Sequence, residues 1–278
     1  MTHRAFAIDL DGTLLGSDHE VSPANRAAVA AAVDAGFEII IATARWYQLA
    51  QEVASALHLS GPAIACSGAE VRRLSDGADL FDVRLPVEFA DQLYSLCDGI
   101  RSILSAVLDD TVLFKLDGDP PTGLTPEIRH APKLSGTASV PPRMVLVQGT
   151  AATKVINEQL AGEWSDRVRF VESISSDTKS ILTLTSTGAD KGAALAVACK
   201  ELGIHPSNVV AIGDAQNDVE MFRVAGRSFA MGQASDLVKA AATDVTAPND
   251  RDGVAQAIHA VLQGADGPAT APDVRASS

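Results

Sequence analysis

The stretch Ala5-Phe6-Ala7-Ile8-Asp9-Leu10-Asp11-Gly12-Thr13 opens on an apolar run and breaks into acidic residues and a glycine. A short apolar run of this kind reads as a buried strand that ends in a loop. The next sixty residues repeat the design. Ser22-Pro23 supplies an N-cap and a first-turn proline, and an Ala-rich helix runs on to a stop at Gly36. Residues 37–42 (FEIIIA) are a second apolar run, 46–57 carry helical periodicity, and 62–66 make a third strand. Strand, helix, strand, helix, strand is the pattern of a parallel sheet with crossover helices.

The pattern then changes. Residues 71–74 and 80–83 flank Ser75-Asp76-Gly77 as a hairpin. Between about 85 and 186, strand-like runs at 103–108, 112–116, 144–148 and 181–185 accompany helical stretches near 87–97 and 152–161. Tight strand pairs with few crossovers indicate an inserted α+β domain with a largely antiparallel sheet. Residues 117–142, rich in Pro and Gly, read as a loop with at most one short helix. From Asp190 the alternation resumes, with helices at 191–202, 218–224, 234–241 and 253–262 and extended runs at 208–212, 228–231 and 244–247. The Gly/Pro/Ala/Ser-rich end, 264–278, reads as a disordered tail. The expected class is α/β: a doubly wound core formed by 1–84 and 187–263, interrupted by an α+β insert at 85–186.

With 278 residues, 46% hydrophobic and 21% charged, the chain can bury a core and is not disordered overall. A net charge of −13 argues against nucleic acid or an anionic membrane as partner, since phosphate backbones need Lys and Arg. An acidic protein can still take a single phosphate where a metal ion reverses the local field. The three cysteines lack CxxC spacing and read as reduced thiols. No signal segment and no apolar run near the ~18 residues of a membrane span appear, so a cytoplasmic monomer or homodimer is expected.

Ligands of an open α/β sheet bind beyond the carboxyl ends of the strands. Four polar clusters fall there: Asp9 to Thr13, Thr43-Ala44-Arg45, Asp190-Lys191-Gly192 and Gly213-Asp214-Ala215-Gln216-Asn217-Asp218. Asp9 and Asp11, two apart on a strand, can converge on one site, and Asp214 and Asp218 add charge to the same edge. Carboxylates held so close repel, and a hard dication with oxygen ligands relieves them; Mg²⁺ suits a cluster that must also take phosphate. Lys191 opens a helix, where a cation is unfavourable unless an anion lies nearby, so it either bridges to carboxylates or phosphate or is a solvated lysine. Thr43 can donate to a phosphate oxygen or cap a turn. Arg45 can hold an anion or pair with surface acids. An EF-hand loop fails because Leu14 or Val219 stands where glycine is required, and no P-loop, GxGxxG, GxSxG or HExxH motif occurs.

These four motifs in this order resemble the haloacid dehalogenase superfamily of aspartate-nucleophile phosphotransferases. The matching pieces are AIDLDGTLL, IIIATAR, ADKGAAL and VVAIGDAQNDVEMFRVAG, with MGQA and NDRDGVA after them. The insert is similar to the large α/β cap of the Cof-type subgroup, related to sugar-phosphate phosphatases. The resemblance implies a Rossmann-like core, an aspartyl-phosphate intermediate and Mg²⁺. Asp9 would be the nucleophile and a metal ligand. Asp11 would protonate the leaving alkoxide and bind the metal through its main-chain carbonyl. Thr43 and Lys191 would hold phosphoryl oxygens, Asp214 would complete the metal site, and Asn217 and Asp218 would support it. Two departures stand out: Ala44 where many relatives have Gly, and Ser67 where they have Asn. The function implied is a phosphatase of a small phosphorylated metabolite of the sugar-phosphate, flavin mononucleotide or pyridoxal phosphate type. A phosphomutase using the same aspartate pair and a catalytically idle binding protein are the alternatives.

Overall fold

The computed structural model describes residues 3–116, 118, 122–137, 140–174 and 180–264. The chain begins with β1 (Ala5–Ile8), α1 (Pro23–Asp34), β2 (Glu38–Ala42), α2 (Tyr47–Ala56), β3 (Pro62–Ala65), β4 (Glu70–Arg73) and β5 (Asp79–Asp82). Next come α3 (Val87–Gly99), β6 (Ile103–Val107), β7 (Val112–Lys115), β8 (Ile128–His130), β9 (Met144–Gln148), α4 (Thr150–Trp164), β10 (Val168–Ile174) and β11 (Ser180–Ser186). It closes with α5 (Lys191–Leu202), β12 (Val209–Gly213), α6 (Val219–Val224), β13 (Arg227–Ala230), α7 (Asp236–Ala241), β14 (Asp244–Val245) and α8 (Gly253–Leu262).

The first sheet has the order β14-β13-β12-β1-β2-β3-β4-β5. It is parallel from β14 to β3, and the β4–β5 hairpin extends it antiparallel. The chain leaves β1 toward β2 and later returns on the other side at β12, so the winding reverses beside β1. That reversal is where an open sheet forms a ligand crevice. Every residue of β1 is buried. Its alternation sends Phe6 and Ile8 into one core with Val29 and Ile258, and Ala5 and Ala7 into the other with Leu195 and Ala198. The small side chains let α5 lie close to the sheet. Asp190 caps that helix by accepting the N–H groups of Gly192 (2.7 Å) and Ala193 (2.9 Å), and Gly203, in the left-handed region, ends it.

The second sheet has the order β10-β11-β9-β6-β7-β8 and is antiparallel except between β7 and β8. One face, including Leu104, Val145 and Leu184, packs on Phe89, Leu93 and Trp164 of α3 and α4. From the opposite face Val107, Val112 and Met144 share a buried cluster with Tyr47 and Ala69 of the first layer.

Two strands differ from expectation. β8 lies inside 117–142, where no helix occurs among the described residues, and it is three residues at a sheet edge, too short to carry a periodic signal. β10 pairs with β11 along seven residues although Val171 is 52% exposed, which blurs its apolar pattern. Apart from Gly264, the tail expected at 264–278 lies outside the described residues. Among the described residues no helix is long and apolar enough to cross a membrane.

An ion cluster joins the two sheets. Arg143, 1% exposed, donates to Asp82 (2.9 Å) and to the carbonyl oxygens of Leu108 (2.8 Å) and Asp109 (3.0 Å). Arg72 on β4 reaches Asp110 in the β6–β7 turn at 2.5 Å and Asp79 at 2.6 Å. Glu70 sits between the two arginines, its Oε1 2.6 Å from Arg72 Nε and 3.3 Å from Arg143 Nη1, yet neither is aligned to make it a hydrogen bond. Burial pushes the Glu70 carboxyl up to about 7, against the pull of Arg143 and Arg72.

Candidate active site

The site forms where β1 runs out. The Asp9 N–H still donates to the Ile212 carbonyl (3.0 Å), so Asp9 extends the strand pairing by one residue and is held 5% exposed. The chain then turns sharply, with Thr13 N–H on Leu10 O (3.2 Å) and Leu14 N–H on Asp9 O (3.2 Å). Gly12 adopts φ +77°, and a Cβ there would collide with the Asp214 carboxylate.

Lys191 is fully buried at the start of α5. Its Nζ donates to Asp9 Oδ1 (2.8 Å) and Asp218 Oδ1 (2.6 Å). The other Asp218 oxygen accepts the N–H groups of Asp214 (3.0 Å) and Ala215 (2.9 Å), and Thr13 Oγ1 donates to Asp214 Oδ1 (3.2 Å). One carboxylate oxygen each from Asp9, Asp214 and Asp218 therefore lies within 4.8 Å of the others. Of the two roles open to Lys191, the structure gives it the bridge to carboxylates.

Burial penalises the Lys191 ammonium, but Asp218 and Asp9 outweigh that cost and raise its pKa. Burial also pushes the Asp9 carboxyl up, and Asp218 and Asp214 add to the push while Lys191 opposes it. Asp214 is pushed up to about 6, first by burial and then by Asp218. One buried cation faces three carboxylates.

Asp11 stands apart from this group. Its side chain is 47% exposed and takes a two-pronged contact from Arg45, with Nε to Oδ2 at 2.8 Å and Nη2 to Oδ1 at 2.6 Å. Thr43, buried just after β2, accepts the Arg45 N–H on its hydroxyl (3.1 Å) and donates its own N–H to Ile64 O (2.9 Å). That turn aims Arg45 across the crevice. After β3, Cys66, Ser67 and Gly68 all have positive φ (50°, 56° and 96°). A Cβ on Gly68 would strike the backbone of Asp190 and Lys191, so this glycine lets the start of α5 reach the site. The strained backbone that ends β3 lies at the crevice, where such strain tends to collect.

Over the crevice is a cavity of about 670 Å³, lined on the β1 side by Asp11, Arg45, Trp46, Ser67 and Asn217 and on the other by the second sheet. The Asn217 Oδ1 is buried with no hydrogen-bond partner among the described residues. Several contributors had no role assigned from the sequence, Gln233 and Asn249 among them although their segments carry the resemblance. Gln233 Nε2 donates to Gly12 O (2.5 Å) and Asn249 Nδ2 to Leu15 O (3.0 Å), so the MGQA and NDRDGVA segments brace the β1 loop. Arg169 on β10 crosses from the second sheet to Glu220 on α6 (2.5 Å), and its Nη2 lies 3.5 Å from Asp190. The sequence of 168–174 breaks alternation at Val171 and so gave little signal for β10, and nothing local marked Glu220 as the partner of Arg169.

With this geometry in view, residues 6–258 match the family described as haloacid dehalogenase-like hydrolase, and the chain belongs to that family. It is 30% identical to the pyridoxal phosphate phosphatase YbhA of Escherichia coli (strain K12), covering 94% of this chain and 100% of that one. It is 29% identical to the 5-amino-6-(5-phospho-D-ribitylamino)uracil phosphatase YcsE of Bacillus subtilis (strain 168), covering 93% and 96%. A solved haloacid dehalogenase-like hydrolase from Bacteroides thetaiotaomicron superposes with a TM-score of 0.77 at 25% identity, over 94% of this chain and 100% of that one. The Rossmann-like α/β class expected from the sequence is the fold of these neighbours, and the enzyme class expected is that of the named phosphatases.

Proposed function

We propose that the chain is a Mg²⁺-dependent phosphatase of a small phosphorylated metabolite, working in the cytoplasm with Asp9 as nucleophile. The observation that carries this is the buried meeting of Asp9, Asp214 and Asp218 around one lysine. Surplus negative charge in a dry place calls for a further cation. The donors are all oxygens, Gly12 keeps the space beside Asp214 clear, and the Asp9 and Asp214 carboxyls are raised by burial and by neighbouring carboxylates; this set fits Mg²⁺. Asp9, Asp214, the Asp11 main-chain carbonyl and Asp218 are the residues that would hold it. Bound there, the ion supplies the charge neutralisation that lets an anionic phosphate meet an anionic nucleophile.

The chain's own residues do the rest. An Asp9 oxygen attacks phosphorus in line with the ester oxygen, the ester P–O bond breaks, and Asp11, which takes up a proton from water as Arg45 turns to the phosphate, passes that proton to the departing alkoxide. Water then attacks the aspartyl-phosphate, Asp11 takes its proton, and the bond to Asp9 breaks to release inorganic phosphate. Lys191 and Thr43 hold the phosphoryl oxygens, with Arg45 and Asn217 at the mouth. Asp11 must exchange its Arg45 partner for the ester oxygen, and an arriving phosphate dianion offers Arg45 a replacement. Residues 85–186 act as a cap over a catalytic core made of 1–84 and 187–263. Pyridoxal phosphate and a phosphoribitylaminouracil, named for the two relatives, are small phosphorylated metabolites of the class proposed here.

The test is turnover of p-nitrophenyl phosphate by purified protein with Mg²⁺. EDTA and Asp9→Asn should each cut it by about a thousandfold or more, the scale of losing a nucleophile, with the circular dichroism spectrum unchanged. Wild-type turnover in Asp9→Asn excludes the mechanism.

A further inference from the structure

The cavity's roof has a chemistry of its own. In the register of the second sheet Arg169 stands opposite Thr185, Thr185 opposite Met144, Met144 opposite Val107, Val107 opposite Val112, and Val112 opposite Ile128. All six line the cavity. They form one row across six strands, polar at the β10–β11 end and apolar for the remaining four positions. In the adjoining row Val171 and Leu146 add apolar surface, with Thr183 between them and Ser105 opposite Leu146, and Trp46 and Leu49 face it from the other side. Arg169, the one charge in the row, is already engaged by Glu220 and Asp190.

On the footing of the phosphatase function above, we propose that the substrate's leaving alcohol is a ring-bearing, largely apolar one, an aryl- or heteroarylmethanol type rather than a polyol. A sugar carries a hydroxyl on nearly every carbon. Against Met144, Val107, Val112, Ile128 and Leu146 most of those hydroxyls would lose water and find only Ser105 within that face as a partner, which costs affinity group by group. A flat ring laid between the sheet face and Trp46 loses nothing polar and gains apolar contact. The volume, about 670 Å³, sits within the roughly 300–1,000 Å³ of small-molecule pockets and has room for a ring system beyond the phosphate. Thr185 and Thr183 at the polar end are placed to meet one or two ring substituents.

The test compares kcat/KM for benzyl phosphate, 2-naphthylmethyl phosphate and glucose 6-phosphate with Mg²⁺. All three release an alkoxide, so leaving-group reactivity does not favour the aromatic esters. The aromatic esters should be preferred by about tenfold or more, within the range that apolar pockets achieve. Met144→Gln should narrow that ratio about tenfold. Val171→Asn, at a half-exposed position that cannot upset the core, should narrow it severalfold. Equal or better use of glucose 6-phosphate, or a ratio unmoved in both variants, overturns the assignment while leaving the phosphatase standing. Failure of the wild type to turn over any of the three, and p-nitrophenyl phosphate as well, removes the phosphatase function and this inference together.

Discussion

Glu70→Gln changes the charge but not the shape of the one carboxylate buried between Arg72 and Arg143. Its neighbours are shared elsewhere: Arg72 also serves Asp79 and Asp110, and Arg143 also serves Asp82 and two carbonyls. Neither is aligned to hydrogen-bond Glu70 Oε1, and this is why burial wins and the carboxyl rises from 4.5 to about 7. At about 1.4 kcal/mol per pH unit, that displacement is worth about 3 kcal/mol. The folded state holds the proton more tightly than the unfolded one. Stability from this group is therefore complete below pH 4.5, is lost as pH rises through 7, and stays level above that. Glutamine does not titrate. The stability difference, wild type minus variant, should fall by about 2 to 3 kcal/mol between pH 5 and pH 8. Urea unfolding of both proteins at unit pH steps measures it, and subtracting the variant cancels every other titrating group. A difference that does not change with pH refutes the reasoning, because it means that the two arginines already hold Glu70 ionised.

Three further outcomes are expected. Mg²⁺ at about a hundred times its dissociation constant should stabilise the wild type by about 3 kcal/mol in thermal unfolding, and Asp214→Asn should lose most of that rise without any assay of turnover. Lys191→Met leaves Asp9 and Asp218 buried without their cation, so it should cost about 3–5 kcal/mol in urea unfolding and abolish p-nitrophenyl phosphate turnover. Gly68→Ala puts a Cβ into the Asp190–Lys191 backbone at a positive φ, and denaturant unfolding should show a loss of about 2 kcal/mol or more; an unchanged midpoint means the helix can retreat freely.

The parts of the fold that were legible are those whose burial is two-sided. β1, β2 and β12 lie inside a parallel sheet and read as unbroken apolar runs, so their ends, and the acids just beyond them, stand out. β8 has three residues at an edge and β10 shows Val171 to solvent, so neither announces itself. In the site, the meeting of Asp9, Asp214 and Asp218 followed from strand ends, since parallel strands deliver their carboxyl ends to one edge, whereas Lys191, at a helix start, was open between a bridge to carboxylates and a solvated lysine. Partner choice did not follow. Arg45 could have met any surface acid and meets Asp11; Arg143 comes after two prolines in a loop, and nothing local reveals that it is 1% exposed. Such pairings depend on how two separate layers come to rest on each other, which no single segment encodes.

The strict two-residue repeat of the second sheet separates two duties along each strand. In β9, Val145 and Val147 face the helices while Met144 and Leu146 face the cavity. On the proposed function, the cavity-facing letters set what the enzyme accepts, and Met144 among them also packs on the first layer, while the letters between hold the sheet to its helices. On that same proposal, a change of substrate would ask for new side chains on one face of one sheet and leave its packing on the helices as it is.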